Sequence, residues 1–264
     1  MEQQPLKMRL QKAIARSGLA SRRASEKLIR QRRVSVNGQI VTEMGVQVDP
    51  EHDRIAVDGE PIHTTQTRQY IMLHKPKGYL SVLHDDRGRP ALIDLVPGAE
   101  GLHPVGRLDL DSEGLILLTD DGKLTYHLTH PRFEHTKTYY VLVRGSPDHK
   151  QIQALREGVL LEDGMTAPAQ VRQLYTTPWG GAPRNHAWLS LVIHEGRKRQ
   201  IKRMGQAVGL SVRRLIRVRI GPLDLGDLPA GAHRPLTRAE RNELQSTIAR
   251  SGKRRSRRQR RENT

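Results

Sequence analysis

Carboxylates are concentrated in one short segment of a strongly basic chain, "GRLDLDSEGLILLTDDG" at residues 106–122. Asp109 follows Arg107 by two positions, beside the apolar residues Val105 and Leu108. An ionised carboxylate can act as a nucleophile or as a general base when its surroundings keep it charged and oriented. A neighbouring guanidinium favours the charged form. The spacing therefore makes Asp109 a candidate catalytic carboxylate.

The residues alone leave two other interpretations of this segment. The acids from Asp109 to Glu113 imitate the start of an EF-hand calcium loop, but Asp120 stands where a bidentate glutamate belongs and "LILL" supplies no side-chain ligands. In the other interpretation, Arg107 and Asp109 form a structural salt bridge at a strand end. The subsequent "DDG" is expected to turn the chain.

The composition points to a polyanionic partner. The 264 residues carry 45 Lys and Arg against 28 Asp and Glu, a net charge of +17. Such an excess attracts nucleic acid, and a membrane protein is disfavoured because no apolar run approaches the roughly 20 residues of a bilayer span. The absence of cysteine excludes disulfides and thiolate metal sites, and with no signal-peptide core at the N-terminus it fits a cytoplasmic protein.

The N-terminal residues 1–62 predict a small basic domain. Leu10, Ala13 and Ile14 share one side of a predicted helix that Gly18 ends. Ser21 is suited to cap a second helix, and a hairpin with an "NG" turn comes next. Basic side chains on these helices suit RNA phosphates. The candidate phosphate contacts are Arg9, Lys12, Arg22, Arg23, Lys27 and Arg30.

A polar linker at 63–69 leads to a larger domain at 70–249, and a basic tail predicted to be disordered occupies 250–264. Strand-like runs dominate the larger domain without regular alternation with helices. This order predicts an α+β fold built on a mixed, largely antiparallel sheet with flanking helices. Helical patterns are expected near residues 123–129, 148–156, 198–208 and 237–249.

The chain resembles two known families. Residues 8–55, which include "RLQKAIARSGLASRRASEKLIRQRRVSVNGQIV", resemble the RNA-binding module of ribosomal small-subunit protein S4. The acidic segment is similar to the signature of ribosomal RNA pseudouridine synthases that carry this module. Four further segments agree with that family: "LHKPKGYLSV" at 73–82, "GRPALIDLVP" at 88–97, "KTYYVLVRG" at 137–145 and "EGRKRQIKRMGQAVGLSVRRLIRVRIGPLDL" at 195–225.

The resemblance implies isomerisation of a uridine in folded RNA without a cofactor or metal. Asp109 matches the essential aspartate, which would attack the sugar or the base or abstract a proton. Arg197 matches its basic partner, with Arg199 as the nearest rival. Tyr139 would stack on the target base, whereas Tyr140 would pack in the core. Further RNA contacts are expected from Arg107, Lys137, Arg199, Lys202 and Arg203.

The substrate implied by the resemblance is ribosomal RNA. "HDDRGRPALIDLVP" is more similar to the large-subunit (23S) branch, acting on naked RNA or on a pre-ribosomal particle. Two alternatives stay open: a small-subunit (16S) pseudouridine synthase, and a non-catalytic RNA-binding protein of ribosome assembly. A monomer is expected, because no predicted helix has an exposed apolar seam.

Overall fold

The computed structural model describes residues 7–63 and 68–248, and it divides into two compact units. The smaller unit comprises the chain through Gln69 and, in addition, Pro97–His103. The larger unit comprises the remainder. The basic tail and the centre of the predicted linker lie outside the described residues. No sequence signal indicated that Pro97–His103 packs with the smaller unit.

The smaller unit forms the expected two helices and hairpins. Leu10, Ala13 and Ile14 are completely buried in its core. The second helix begins after Ser21, whose side chain accepts a hydrogen bond from the Ala24 N–H at 3.2 Å. The elements are β1 (Met8–Arg9), α1 (Leu10–Arg16), α2 (Arg22–Arg30), β2 (Val34–Val36), β3 (Gln39–Ile40), β4 (Gln47–Val48), β5 (Ile55–Val57) and β6 (Glu60–Pro61).

Two turns of this unit depend on unusual backbone angles. Asn37 and Gly38 have φ of 51° and 82°, the two positive values that a tight hairpin between β2 and β3 requires. At Gly101 the chain passes so close to α1 that a Cβ would lie 2.8 Å from the carbonyl oxygen of Ala15. The predicted hairpin is confirmed, and Gly101 allows Pro97–His103 to pack closely against the end of α1.

The chain beyond Gln69 alternates long strands with four helices and several short hairpins in its described part. Each of these helices lies within a few residues of its predicted position. The elements are β7 (Tyr70–Lys75), β8 (His103–Pro104), β9 (Glu113–Thr119), α3 (Gly122–Thr129), β10 (Lys137–Arg144), α4 (His149–Glu157), β11 (Leu160–Leu161), β12 (Gly164–Met165), β13 (Gln170–Leu174), β14 (Thr176–Thr177), β15 (Gly180–Gly181), β16 (His186–Ile193), α5 (Gln200–Ala207), β17 (Ser211–Ile220), β18 (Leu223–Asp224), β19 (His233–Pro235) and α6 (238–248), with 3₁₀ turns at Leu92–Asp94 and Pro131–Phe133.

The main sheet of the larger unit has the strand order β13-β16-β10-β17-β9-β7-β19. Its neighbours are antiparallel except β9 and β17, which run parallel. The predicted mixed, largely antiparallel sheet is therefore confirmed. At the parallel contact Gly114 faces Arg217, and a Cβ there would lie 2.3 Å from the Arg217 carbonyl oxygen. Only glycine allows the two backbones to meet so closely.

Each face of this sheet carries a separate apolar core. One face packs Val141, Leu189 and Leu191 beneath α4 and α5. The opposite face packs Leu117 and Ile216 with α3 and the C-terminal helix. The alternation of side chains along each strand supplies both layers. Within the described residues, no helix has the length and apolar character needed to cross a bilayer.

Candidate active site

A cavity of about 530 Å³ opens at the N-terminal end of β9. Its wall combines the loop before β9, the first half of β10, the segment between β16 and α5, and the second half of β17. Of the sequence-predicted site residues, the structure brings six to this wall: Arg107, Asp109, Lys137, Tyr139, Arg197 and Arg199.

Asp109 lies on the loop before β9 and is half-buried. The backbone N–H of Ser112 donates to the Asp109 carbonyl oxygen at 3.1 Å and closes a tight turn. Hydrogen bonds on both sides hold this turn. The loop therefore presents a carboxylate to the cavity from a fixed backbone, as a general base or nucleophile requires.

Ser81 fixes the loop on one side of Asp109. Its buried Oγ donates to the Leu108 carbonyl oxygen at 2.6 Å and accepts from the Leu108 N–H at 2.9 Å. One hydroxyl thus satisfies both backbone groups of the residue that precedes the carboxylate.

Lys75 fixes the other side. Its completely buried ammonium donates to the carbonyl oxygens of Ser112 at 2.9 Å and Pro76 at 3.0 Å. Burial lowers the pKa of Lys75 to about 8, and the negative charges of Glu113, Asp109 and Asp111 oppose that lowering.

Arg217 is a candidate functional residue that the sequence pattern did not single out. It is buried on β17 and lines the cavity, directly across the strand pair from Tyr139. Its Nε donates to the Leu115 carbonyl oxygen at 2.8 Å and its Nη1 to the Arg107 carbonyl oxygen at 3.2 Å. Its Nη2 is buried without a hydrogen-bond partner among the described residues. An unsatisfied buried donor is costly, which makes this nitrogen a candidate partner for a carboxylate or for substrate.

The signal for Arg217 was present in "RRLIRVRIG". A charged residue between apolar neighbours inside a strand is seldom buried without a role. The family resemblance implies an arginine of the earlier "EGRKRQIKR" segment instead.

Arg197 lines the cavity, but its guanidinium is engaged elsewhere. Nη1 donates to the carbonyl oxygens of Asp163 at 3.1 Å and Gly164 at 2.9 Å, and Nη2 donates to that of Met165. Nε donates to Glu195 at 3.3 Å. Arg197 therefore holds the β11–β12 hairpin against the segment before α5. The predicted pairing with Asp109 is not formed in this structure, because hairpin carbonyls already occupy the planar fork.

Tyr139 and Tyr140 point to opposite faces of the sheet, as the strand geometry requires. Tyr139 is buried and lines the cavity. Tyr140 is half-buried against the other core and meets Trp179 edge to face at 6.3 Å between ring centroids. Only Tyr139 can meet a base that enters the cavity.

Two further acids of the segment that contains Asp109 form ion pairs. Glu113 is buried and accepts two hydrogen bonds from Arg214, at 2.8 and 2.9 Å. Burial opposes its ionisation, yet Arg214 and Lys77 hold the pKa of Glu113 below its usual value. Asp111 pairs with Lys202, and at 3.5 Å with Arg199. These acids stabilise the Asp109 loop by tying it to β17 and α5.

The predicted RNA-contacting residues differ in their burial and in the hydrogen bonds that they already make. Lys137 is half-buried beside the cavity and donates to the His135 carbonyl oxygen at 3.2 Å, and burial, helped by Arg217, lowers its pKa to about 8. Arg203 is held by Asp163 in two hydrogen bonds of 2.9 and 3.1 Å. On the smaller unit Lys12 is half-buried, and the exposed positions are Arg9, Arg22, Arg23, Lys27 and Arg30.

Among the described residues, no group of three or more histidine, aspartate or glutamate side chains is arranged to hold a metal ion. A molecule that enters the cavity would contact the side chains that line its wall.

Comparison with known proteins identifies the family of this chain. The family model for RNA pseudouridylate synthase matches residues 69–207, and the model for the S4 domain matches residues 8–55. An uncharacterized RNA pseudouridine synthase of Mycobacterium leprae is 42% identical over 245 residues, which cover 91% of this chain and 93% of the relative. Ribosomal large subunit pseudouridine synthase B of Bacillus subtilis is 40% identical over 239 residues, with 90% and 96% covered.

A solved structure is similar as well. The crystal structure of a pseudouridylate synthase superposes with a TM-score of 0.61 at 35% sequence identity, and the match covers 90% of this chain and 99% of the other. The matched family segment contains Asp109, Tyr139 and Arg197, and the matched relatives extend over nearly the whole chain. The chain belongs to the RNA pseudouridylate synthase family.

Proposed function

We propose that this chain isomerises a specific uridine of large-subunit ribosomal RNA to pseudouridine, with Asp109 as the reacting carboxylate. The observation that carries the proposal is the anchored Asp109 loop, which faces a cavity shared with Tyr139 and the buried Arg217. The Bacillus subtilis relative named for the large subunit supports the choice of RNA.

The cavity suits one extruded nucleotide. Its volume of about 530 Å³ lies in the range of small-molecule sites. A uridine must leave its helix for its glycosidic bond to be reached. Tyr139 then stacks on the uracil ring, and Leu108 and Ile201 add apolar walls.

The reaction breaks the bond between C1′ and N1 of the uridine and forms one between C1′ and C5. The proton that C5 loses is balanced by the proton that N1 gains, so no external reactant is consumed. Asp109 serves by attacking the sugar or the base or by abstracting the proton. Arg217 takes the role expected of Arg197, because its unpaired Nη2 can hold the Asp109 carboxylate or a substrate oxygen.

RNA is held by charge on both units. The exposed arginines and the single lysine of α2 bind phosphates, and Arg107 and Lys137 bind phosphates next to the cavity. We further propose that the protein acts as a monomer in the cytoplasm, on ribosomal RNA or on a pre-ribosomal particle.

The test is pseudouridine mapping on ribosomal RNA from a strain that lacks the protein. One uridine of 23S RNA should be unmodified in that strain, and incubation with the purified protein should convert it. Conversion in 16S RNA alone would establish the small-subunit alternative. Binding of the RNA without conversion of any uridine would establish the non-catalytic alternative.

A further inference from the structure

A cluster of rings and one guanidinium lies on α3 and the 3₁₀ turn after it. Tyr126 and Phe133 meet edge to face at 5.7 Å between centroids, and His130 lies 5.0 Å from Tyr126. His127 packs on Phe133 at 4.3 Å. The Cζ of Arg132 lies 4.8 Å from the Tyr126 ring centroid and 4.7 Å from that of Phe133. In a chain with only 3% aromatic residues this is a marked concentration.

Core packing does not account for the cluster. Leu124 and Leu128 bury the inner side of α3 in the apolar core. Tyr126, on the outer side of the same helix, is 42% exposed. Arg132 is exposed beside it. The outer side therefore keeps part of the Tyr126 side chain, together with Arg132, in contact with solvent.

The cluster is continuous with the rim of the candidate active site. His130 and Pro131, which belong to the cluster and its turn, line the cavity with His135 and Lys137. A chain segment that enters the cavity from this side must pass next to the rings.

We propose that this cluster, the Tyr126 platform, stacks an unpaired base of the substrate RNA that adjoins the target uridine. The proposal rests on the proposed function. When a uridine is extruded, its neighbour loses a stacking partner. Aromatic faces with an associated guanidinium replace that partner with little dependence on base identity. The Arg132 charge suits the phosphate that joins the two nucleotides.

The test measures affinity without requiring turnover. Asp109→Asn and Asp109→Asn/Tyr126→Ala proteins are titrated against ribosomal RNA from the strain that lacks the protein, with excess transfer RNA as competitor. Loss of one stacked base should raise the dissociation constant about tenfold. Tyr126→Phe in the same background should recover most of that loss, because the ring returns.

Tyr175→Ala is the matched control. Tyr175 is 91% exposed, and it is absent from the cavity wall within the described chain. With native Asp109, Tyr126→Ala should lower kcat/KM for uridine conversion about tenfold and change kcat at saturating RNA less than about twofold.

Equal dissociation constants for the Tyr126→Ala and Tyr175→Ala proteins would overturn the platform. A wild-type protein that converts no uridine in this RNA would refute the proposed function instead. The affinity comparison in the Asp109→Asn background would still decide the platform in that case.

Discussion

Ser81→Ala should loosen the loop that presents Asp109. The Ser81 hydroxyl makes both a 2.6 Å and a 2.9 Å hydrogen bond with the backbone of Leu108, and both residues are buried. Each net hydrogen bond contributes about 1 kcal/mol, and a buried group left without a partner costs about 1–3 kcal/mol. We therefore expect the free energy of unfolding to fall by about 2–3 kcal/mol.

Catalysis should fall as well, because Leu108 directly precedes the reacting carboxylate. A misplacement of about 1 Å at a reacting group can cost roughly a hundredfold in rate. Single-turnover conversion of ribosomal RNA at saturating protein measures that loss. Urea unfolding measures the stability change.

Ser112→Ala is the matched stability control within the same loop. The Ser112 side chain is 1% exposed, and its Oγ has no hydrogen-bond partner among the described residues. Because removal of this hydroxyl breaks no hydrogen bond, the unfolding free energy should not fall below that of the wild type. If Ser81→Ala and Ser112→Ala proved equally stable, and Ser81→Ala retained the native rate, the anchoring role of Ser81 would be wrong.

Contacts around the site and at the C-terminal helix lead to three more predictions. Arg217→Lys should lower the single-turnover rate constant for uridine conversion at least about a hundredfold, whereas Arg197→Lys should mainly lower the free energy of unfolding. A larger loss of rate in Arg197→Lys than in Arg217→Lys would restore Arg197 as the partner of Asp109. Since burial lowers the pKa of Lys137 to about 8, RNA affinity should fall as pH rises through 8, and Lys137→Arg should abolish that fall. Hydrogen bonds from Arg234 hold the pKa of Glu240 at about 2, so the resulting stability is present above pH about 4.5 and lost as pH falls toward 2. Glu240→Gln should therefore lower the unfolding free energy by about 1 kcal/mol at pH 7, and acid titration of both proteins should show the gap closing below pH 4.5.

Local signals predicted the smaller unit well. Leu10 and Ile14 are spaced for one helical face, Gly18 can adopt the positive φ that ends the helix, and Ser21 can cap the next one. Each signal acts over a few residues, so the sequence contains all the information needed. The four helices of the larger unit lie close to their predicted positions for the same reason.

Contacts between distant segments could not be predicted in this way. The parallel contact of β9 with β17 depends on Gly114 meeting Arg217, which is 103 positions further along the numbering. The partners of Glu113 and Asp111 lie on β17 and α5. No local pattern specifies which strand a segment will adjoin.

The same limit explains the site assignments. Asp109 and Tyr139 carry signals in their own segments, and both reach the cavity. The basic partner of Asp109 is harder to predict, because the segment from Arg197 to Arg219 contains several arginines. Only the packing of the folded chain shows which of them is buried beside the cavity. Arg197 has carbonyl oxygens within reach and uses them, whereas Arg217 keeps a buried nitrogen available.

The central claim is that the Asp109 carboxylate performs the isomerisation. The most direct measurement is pseudouridine formation by Asp109→Asn protein on ribosomal RNA from the strain that lacks the protein. Asparagine preserves the shape of the side chain and removes the charge, so RNA affinity should stay within about twofold while conversion becomes undetectable. Conversion at the wild-type rate would contradict the account.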